Sequence, residues 1–337
     1  MFRVLTAAIA AIALSGAAMA AGPKPLDPPQ KVKIAYVPIM KFATAYVAAD
    51  RGLFKKYGLD VTFEKVKSGT EAIAFLSQGT VDVGGIAIVT SLWNSWNRGL
   101  DIRVIAPGGL EPMKGSSTNL LLSKKAAEAG VKTVADLKGK RIGVAGGPGS
   151  GSEYLVAKAL EQVKLTIRDV NLMNISNPDI PAALAGGTID AGLAGPPFST
   201  QAINGGATVL ATDLTPGLMT VAFVGSGKFI KERPEVAERF VVALTEAARL
   251  MQGDQYLSKE NVDAYLKYTA STEAAIKAAK PAVYDPNQEI PAKGLADVER
   301  VHRENGRTDY DKPIDLKKVI DDQFVDKAIA ALGKAKN

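Results

Sequence analysis

The chain has 337 residues, 47% of them hydrophobic and 23% charged, with a formal net charge of +6. That composition fits a folded chain with room for about two domains and excludes intrinsic disorder. The positive excess is dispersed, with lysines interspersed among glutamates from Lys228 to Lys336. A nucleic-acid surface is therefore not expected, and mild attraction of small anions is.

At the start, Arg3 precedes an apolar stretch from Val4 to Ala18, and Ala18-Met19-Ala20 follows. A positive n-region, an h-region and an A-x-A site predict a signal peptide over residues 1–20, cleaved after Ala20. A membrane anchor is the competing reading, because Val4 to Ala21 is about the shortest spanning length. Residues 21–30, with Pro23, Pro25, Pro28 and Pro29, read as an extended tail. The chain has no cysteine, hence neither a disulfide framework nor a lipid attachment site, and an unanchored periplasmic protein is expected.

From residue 33 onward the chain repeats itself. Ala74-Phe-Leu-Ser-Gln-Gly-Thr-Val-Asp-Val-Gly84 and Ala182-Ala-Leu-Ala-Gly-Gly-Thr-Ile-Asp-Ala-Gly192 share six of eleven residues at an offset of 108. Lys33-Ile-Ala-Tyr-Val falls on Arg141-Ile-Gly-Val-Ala in the same register. Each copy parses as a strand (32–37; 141–145), a Gly- or Pro-bearing loop, a helix (46–57; 153–163) and a second strand (60–66; 169–174). A short helix (71–78; 180–185) and a third strand (81–88; 189–194) complete it. Alternation of this kind predicts parallel strands with crossover helices, two α/β lobes in all. Gly79 and Gly187 stand where each short helix needs a left-handed end.

Ligands of open parallel sheets sit beyond the carboxyl ends of the strands. The rule selects loops 38–44, 68–70 and 88–91 in the first lobe, and 146–152, 176–179 and 195–199 in the second. In Gly146-Gly-Pro-Gly-Ser-Gly-Ser152 the glycines let backbone approach a bound group, and Ser150 and Ser152 sit at a helix start where free N–H groups attract an anion. A turn that only allows helix and strand to pack closely is the alternative. The stretch lacks the lysine of a P-loop, the sixth-place glycine of a dinucleotide fingerprint and the frame of a nucleophile elbow.

Catalytic parts are missing. The one histidine, His302, lies in a polar stretch and is expected to be a solvated surface imidazole; no metal, no cofactor and no enzymatic activity are expected. Asp82 and Asp190, at strand starts on the side away from the loops, read as turn or capping residues. Trp93 and Trp96 read as packing or surface residues. Asn119–Ser123 and Met219–Val224 are expected to be the two crossings of a hinge. Lobe 1 would then be 31–115 with 222–337, and lobe 2 116–221. Beyond Pro234 an amphipathic helix with Val236, Phe240, Leu244, Ala247 and Leu250 on one face is expected, and further helices up to Leu332 are expected to pack on lobe 1.

Gly52-Leu-Phe, Gly58-Leu-Asp-Val61 and Asp136-Leu-Lys-Gly-Lys-Arg-Ile-Gly-Val144, within an otherwise continuous likeness that reaches "DLKKVIDDQFVDKAI", resemble the substrate-binding proteins of nitrate/sulfonate/taurine ABC importers. The resemblance implies a type II periplasmic binding fold, two α/β lobes joined by a two-strand hinge. It implies delivery of a ligand to a permease driven by an ATPase, by a chain acting as a monomer with no chemistry on its ligand. Matching loops to the family implies ligand contacts at Pro38, Met40, Lys41, Phe42, Thr44, Ser68, Gly69, Thr70, Ala87 and Thr90 of one lobe. Gly149, Ser150, Ser152 and Pro196 stand opposite. Phe42, Tyr46 and Phe198 are candidates for an aromatic wall, with core packing the stronger expectation for Tyr46. With no arginine in these loops, backbone amides, hydroxyls and Lys41 are left to hold an organic sulfonate or carboxylate; nitrate or a pyrimidine comes second.

Overall fold

The computed structural model describes residues 22–336 except Lys67 and Ala270. The signal peptide expected over residues 1–20 lies outside the described residues. No helix among those described is long and apolar enough to cross a membrane.

Two sheets of five strands organise the chain. In the first lobe, β1 (Gln30–Tyr36), α1 (Ala43–Asp50), β2 (Leu59–Lys65), α2 (Gly69–Ser77), β3 (Val83–Ala87), α3 (Thr90–Asn97) and β4 (Ile102–Pro107) follow one another. β5 (Asn119–Leu122), β6 (Arg141–Val144), α4 (Gly151–Glu161), β7 (Asn171–Asn174), α5 (Ile180–Ala185), β8 (Ala191–Ala194), α6 (Phe198–Asn204) and β9 (Thr208–Ala211) form the second. The chain returns through β10 (Val221–Ser226), α7 (Pro234–Arg249), α8 (Lys259–Tyr268), α9 (Ala292–Glu304) and α10 (Gln323–Leu332). The strand orders are β2-β1-β3-β10-β4 and β7-β6-β8-β5-β9.

The duplication extends to register. Ile34 pairs with Val83 and Ala35 with Gly84, while Ile142 pairs with Ala191 and Gly143 with Gly192, the same partners shifted by the offset seen in the sequence. Asp82 accepts from the Lys33 amide at 2.9 Å and Asp190 from the Arg141 amide at 2.8 Å. Each carboxylate thus pins the start of a neighbouring strand, a structural role that reaches beyond the local turn or cap expected of both. Gly79 and Gly187 each have φ of +67°, as their helix ends require.

Three expectations are corrected. Against the single helix expected over 46–57, α1 begins at Ala43 and stops at Asp50, because Gly52 turns left-handed with φ +70° and a separate turn, Leu53–Lys56, follows. Save that Met219 and Thr220 end the second one, Asn119–Ser123 and Met219–Val224 are not the crossings. Their apolar residues are buried on both faces, so β5 and β10 are interior strands, each the antiparallel member of its sheet. The chain passes between sheets at 108–118 and 212–220, where Leu110 bridges Met219 on one side and Val283 on the other, so that a third segment lies along the hinge.

The helices after Pro234 do not all serve the first lobe. α7 fills its core through Val236, Phe240, Leu244 and Ala247, with α1, α8 and α10 around it. α9 instead lies against α4 of the second lobe, where Asp297 accepts from the Tyr154 hydroxyl at 2.7 Å and Arg300 meets Glu161 at 3.2 Å. Its apolar face, Leu295, Val298 and Val301, joins a core shared with Trp93 and Ile142, one residue from each lobe. An amphipathic stripe tells that a helix packs and does not say on which of two similar lobes.

Candidate ligand-binding cleft

Parallel order in β1-β3 and β6-β8 places the loops that follow these strands at the carboxyl edge of each sheet, and the two edges meet. The Thr90 amide and the Thr90 hydroxyl both donate to the Gly149 carbonyl at 2.9 Å. Gly149 has φ of +75°, and a Cβ there would stand 2.0 Å from Thr90 Oγ1, so the contact depends on a bare backbone. Thr90 and Gly149 are therefore a point where the lobes touch.

Lys41 is in a 3-10 turn, Met40–Phe42, ahead of α1. Its ammonium donates to Thr220 Oγ1 at 2.6 Å and to Glu111 Oε1, and its carbonyl accepts from the Gly109 amide at 2.7 Å. Glu111 is 4% exposed, and its Oε2 accepts from the Ser116 hydroxyl at 3.1 Å. Both crossings thus clamp Lys41, and the clamp supplies a carboxylate. Glu111 goes unnoticed in the sequence because no strand is expected there at 102–107; it follows the carboxyl end of β4, and the crossing carries it past Lys41. Pro112, Ser116, Thr118, Leu155, Asp213, Leu214 and Thr215 line a narrow crevice with it. The amides of Ser116 and Gly115 hold the Asp213 carboxyl below the usual carboxylate range.

The glycine turn is as open as expected, with positive φ at Gly146, Gly147 and Gly149. Ser150 caps α4 by accepting from the Glu153 amide at 3.1 Å. One position at this helix start is already filled. The Gly149 amide donates to Glu153 Oε1 at 3.2 Å, and Glu153, 1% exposed, is held by Arg307 through bonds of 2.8 and 2.9 Å. Among the described residues no hydrogen-bond partner takes the amides of Gly151 or Ser152, the first two of α4.

The other loop residues divide. Ser68 caps α2, accepting from the Glu71 amide at 3.3 Å, and Thr70 Oγ1 stands 3.1 Å from Ser91 Oγ, tying the second loop to the third. Gly69 lies against Ala87, whose amide a Cβ would approach to 3.4 Å. Pro38 and Met40 are half-buried, the Met40 carbonyl accepting from the Tyr284 hydroxyl at 2.5 Å; Ser152 is half-buried and Pro196 exposed. Phe42 and Thr44 are displaced from their expected role. Phe42 is buried edge-on against Phe223 at 5.5 Å and packs on Gly85, and Thr44 is fully buried in α1. Tyr46 is also core, stacked on Tyr268 at 5.1 Å, so the aromatic wall does not form. Every residue from Phe42 to Ala48 is buried, so the chain dives into the core as α1 begins and takes Phe42 and Thr44 with it.

His302 is not a surface imidazole. It is 1% exposed, accepts from Trp93 Nε1 at 3.1 Å and meets Tyr154 edge-on at 6.1 Å; burial lowers its pKa to about 4. It stands on α9 between α3 of one lobe and α4 of the other. The amphipathic period of α9 carries the histidine inward, together with its polar neighbour Glu299, 3% exposed. Trp93 and Trp96 are buried packing residues.

The model of the NMT1-like family matches residues 26–268. The chain belongs to the NMT1-like family. Among its relatives, a Brucella abortus protein named as a binding protein is 27% identical over 206 residues, 60% of this chain and 60% of the relative. The chain thus spans about three fifths of the length of such relatives. A Bacillus subtilis protein named for binding aliphatic sulfonates is 28% identical over 301 residues, 82% of this chain and 80% of that protein. In fold, the NMT1-like chain matches the periplasmic nitrate-binding protein of Synechocystis with a TM-score of 0.72 at 16% identity, covering 90% of this chain and 89% of the other. The architecture is that of a type II periplasmic binding protein.

Proposed function

We propose that this chain is the periplasmic solute-binding component of an ABC importer, closing its lobes on a small organic anion, a sulfonate or a carboxylate, and handing it unaltered to a membrane permease served by an ATPase. The contact of Thr90 with Gly149 carries the reading: two duplicated lobes touch through the loops that follow their parallel strands, beside the open amides of Gly151 and Ser152 and beside Lys41. Charge-assisted bonds from one ammonium and oriented amides suit a single anionic head. Binding at a surface shared by both lobes favours the closed form over the open one, and closure is what a permease reads. Release without chemistry agrees with a cleft in which His302 is sequestered and Glu111 and Glu153 are each tied to a cation. Export to a periplasm is supported by the leader pattern over residues 1–20, and the chain acts as a monomer.

A thermal-shift screen of the purified chain tests this. Alkanesulfonates or organic carboxylates raise the melting temperature, since a ligand bound only by the folded state stabilises it. A shift confined to nitrate or to pyrimidines moves the assignment to those ligands, and conversion of any of these compounds, followed by mass spectrometry, overturns it.

A further inference from the structure

We propose that Glu111 determines specificity: it is a built-in counter-ion that neutralises Lys41 and so biases the cleft against compact inorganic anions and toward organic ones. The inference rests on the anion-binding reading above and deepens it. Among the loops 38–44, 68–70, 88–91, 146–152, 176–179 and 195–199 Lys41 is the one cation, Lys67 beside the second of them lying outside the described residues, and an ammonium has three N–H donors. Two are engaged, one by Glu111 and one by Thr220. Glu111 is held in place from its other side by Ser116 and is almost wholly excluded from solvent.

A ligand at Lys41 therefore meets an ion pair of zero net charge and finds one donor left. Opposite, Glu153 and Arg307 cancel in the same way beside the glycine turn. A compact anion such as nitrate depends on Coulomb attraction to a desolvated cation, and here that attraction is largely spent on Glu111. An organic anion adds apolar contact along its tail to the same few hydrogen bonds. Ile39, 38% exposed in the Lys41 loop, offers that contact.

Titration calorimetry with sodium nitrate and with sodium ethanesulfonate tests the proposal on the full chain and three variants. Glu111→Gln keeps the shape and removes the charge; its nitrate affinity rises at least tenfold over the wild type, while ethanesulfonate gains less. In the double variant Glu111→Gln, Lys41→Met the gain for nitrate disappears. Ser116→Ala, which loosens Glu111 without removing it and does not depend on the fold tolerating an unpaired lysine, gains two- to threefold for nitrate. Unchanged or weaker nitrate binding in Glu111→Gln, or in Ser116→Ala should Glu111→Gln not fold, overturns the proposal. So does a gain that survives Lys41→Met. Failure of the wild type to bind ethanesulfonate or any other organic anion counts against the functional reading instead, and leaves the nitrate comparison between wild type and variant intact.

Discussion

The entrance to the first helix of each lobe occupies the same place in two copies of one unit, and the two entrances are charged in opposite ways. In the first lobe the loop brings the cation, Lys41, and the acid, Glu111, arrives from a crossing. In the second the helix brings the acid, Glu153, and the cation, Arg307, arrives from the segment after α9. Duplication therefore preserved the backbone frame and left the charges to be completed by segments outside the repeat. What the two copies share is scaffold, and what differs between them is the site.

The largest effect is expected where the comparison is broken in the second lobe. Arg307→Ala leaves the buried Glu153 carboxylate without its cation, and should destabilise the fold by about 3–5 kcal/mol in urea titrations. Glu153→Gln, which removes the buried charge itself, should lose less. Equal losses would mean that the pair matters for packing alone.

Next comes the histidine that braces the lobes. The fold depresses the His302 pKa to about 4 from 6.5, so the neutral imidazole is the form the native state keeps. The unfolded chain takes up a proton that the folded chain refuses. Stability is thus complete above about pH 6.5 and declines as pH falls toward about 4, by about 1.4 kcal/mol per unit. His302→Leu should flatten that slope in urea midpoints measured between pH 7 and pH 4.5, and a slope that persists would assign it to other groups.

A smaller and symmetric effect is expected from the scaffold. Asp82→Asn and Asp190→Asn each weaken a charged acceptor for a strand amide and an arginine, Arg233 and Arg141 respectively. Both should cost about 1.5 kcal/mol, alike within about 0.5. A wide disparity would show that the two frames are not equivalent. Smallest is Thr90→Val, which removes one of the two bonds to the Gly149 carbonyl, leaves the amide bond in place, and should weaken ethanesulfonate binding about fivefold with stability nearly unchanged.

The frame was legible in the sequence because it is written twice. The three parallel strands of each copy, the paired aspartates and the left-handed glycines all follow from one register held across the two copies, and the loops selected by the strand-end rule include those that meet at Thr90 and Gly149. The parts that escaped are those contributed once. Glu111 and Arg307 are acid and base in segments with no repeat partner, and nothing in their neighbours says that a crossing and a C-terminal turn bring them to the helix entrances. His302 was hidden by a polar neighbourhood, although the apolar positions Leu295, Val298 and Val301 place it near the inward face of α9. Phe42 and Thr44 were chosen by loop membership, and a loop that enters a helix must also send side chains into the core.

Calorimetric titration of the purified chain with ethanesulfonate, paired with mass spectrometry of the recovered compound, addresses the central claim most directly. A saturable isotherm with one ligand per chain, and the sulfonate returned intact, is the predicted result. No heat and no melting shift with any sulfonate or carboxylate, or a chemically altered product, would contradict the account.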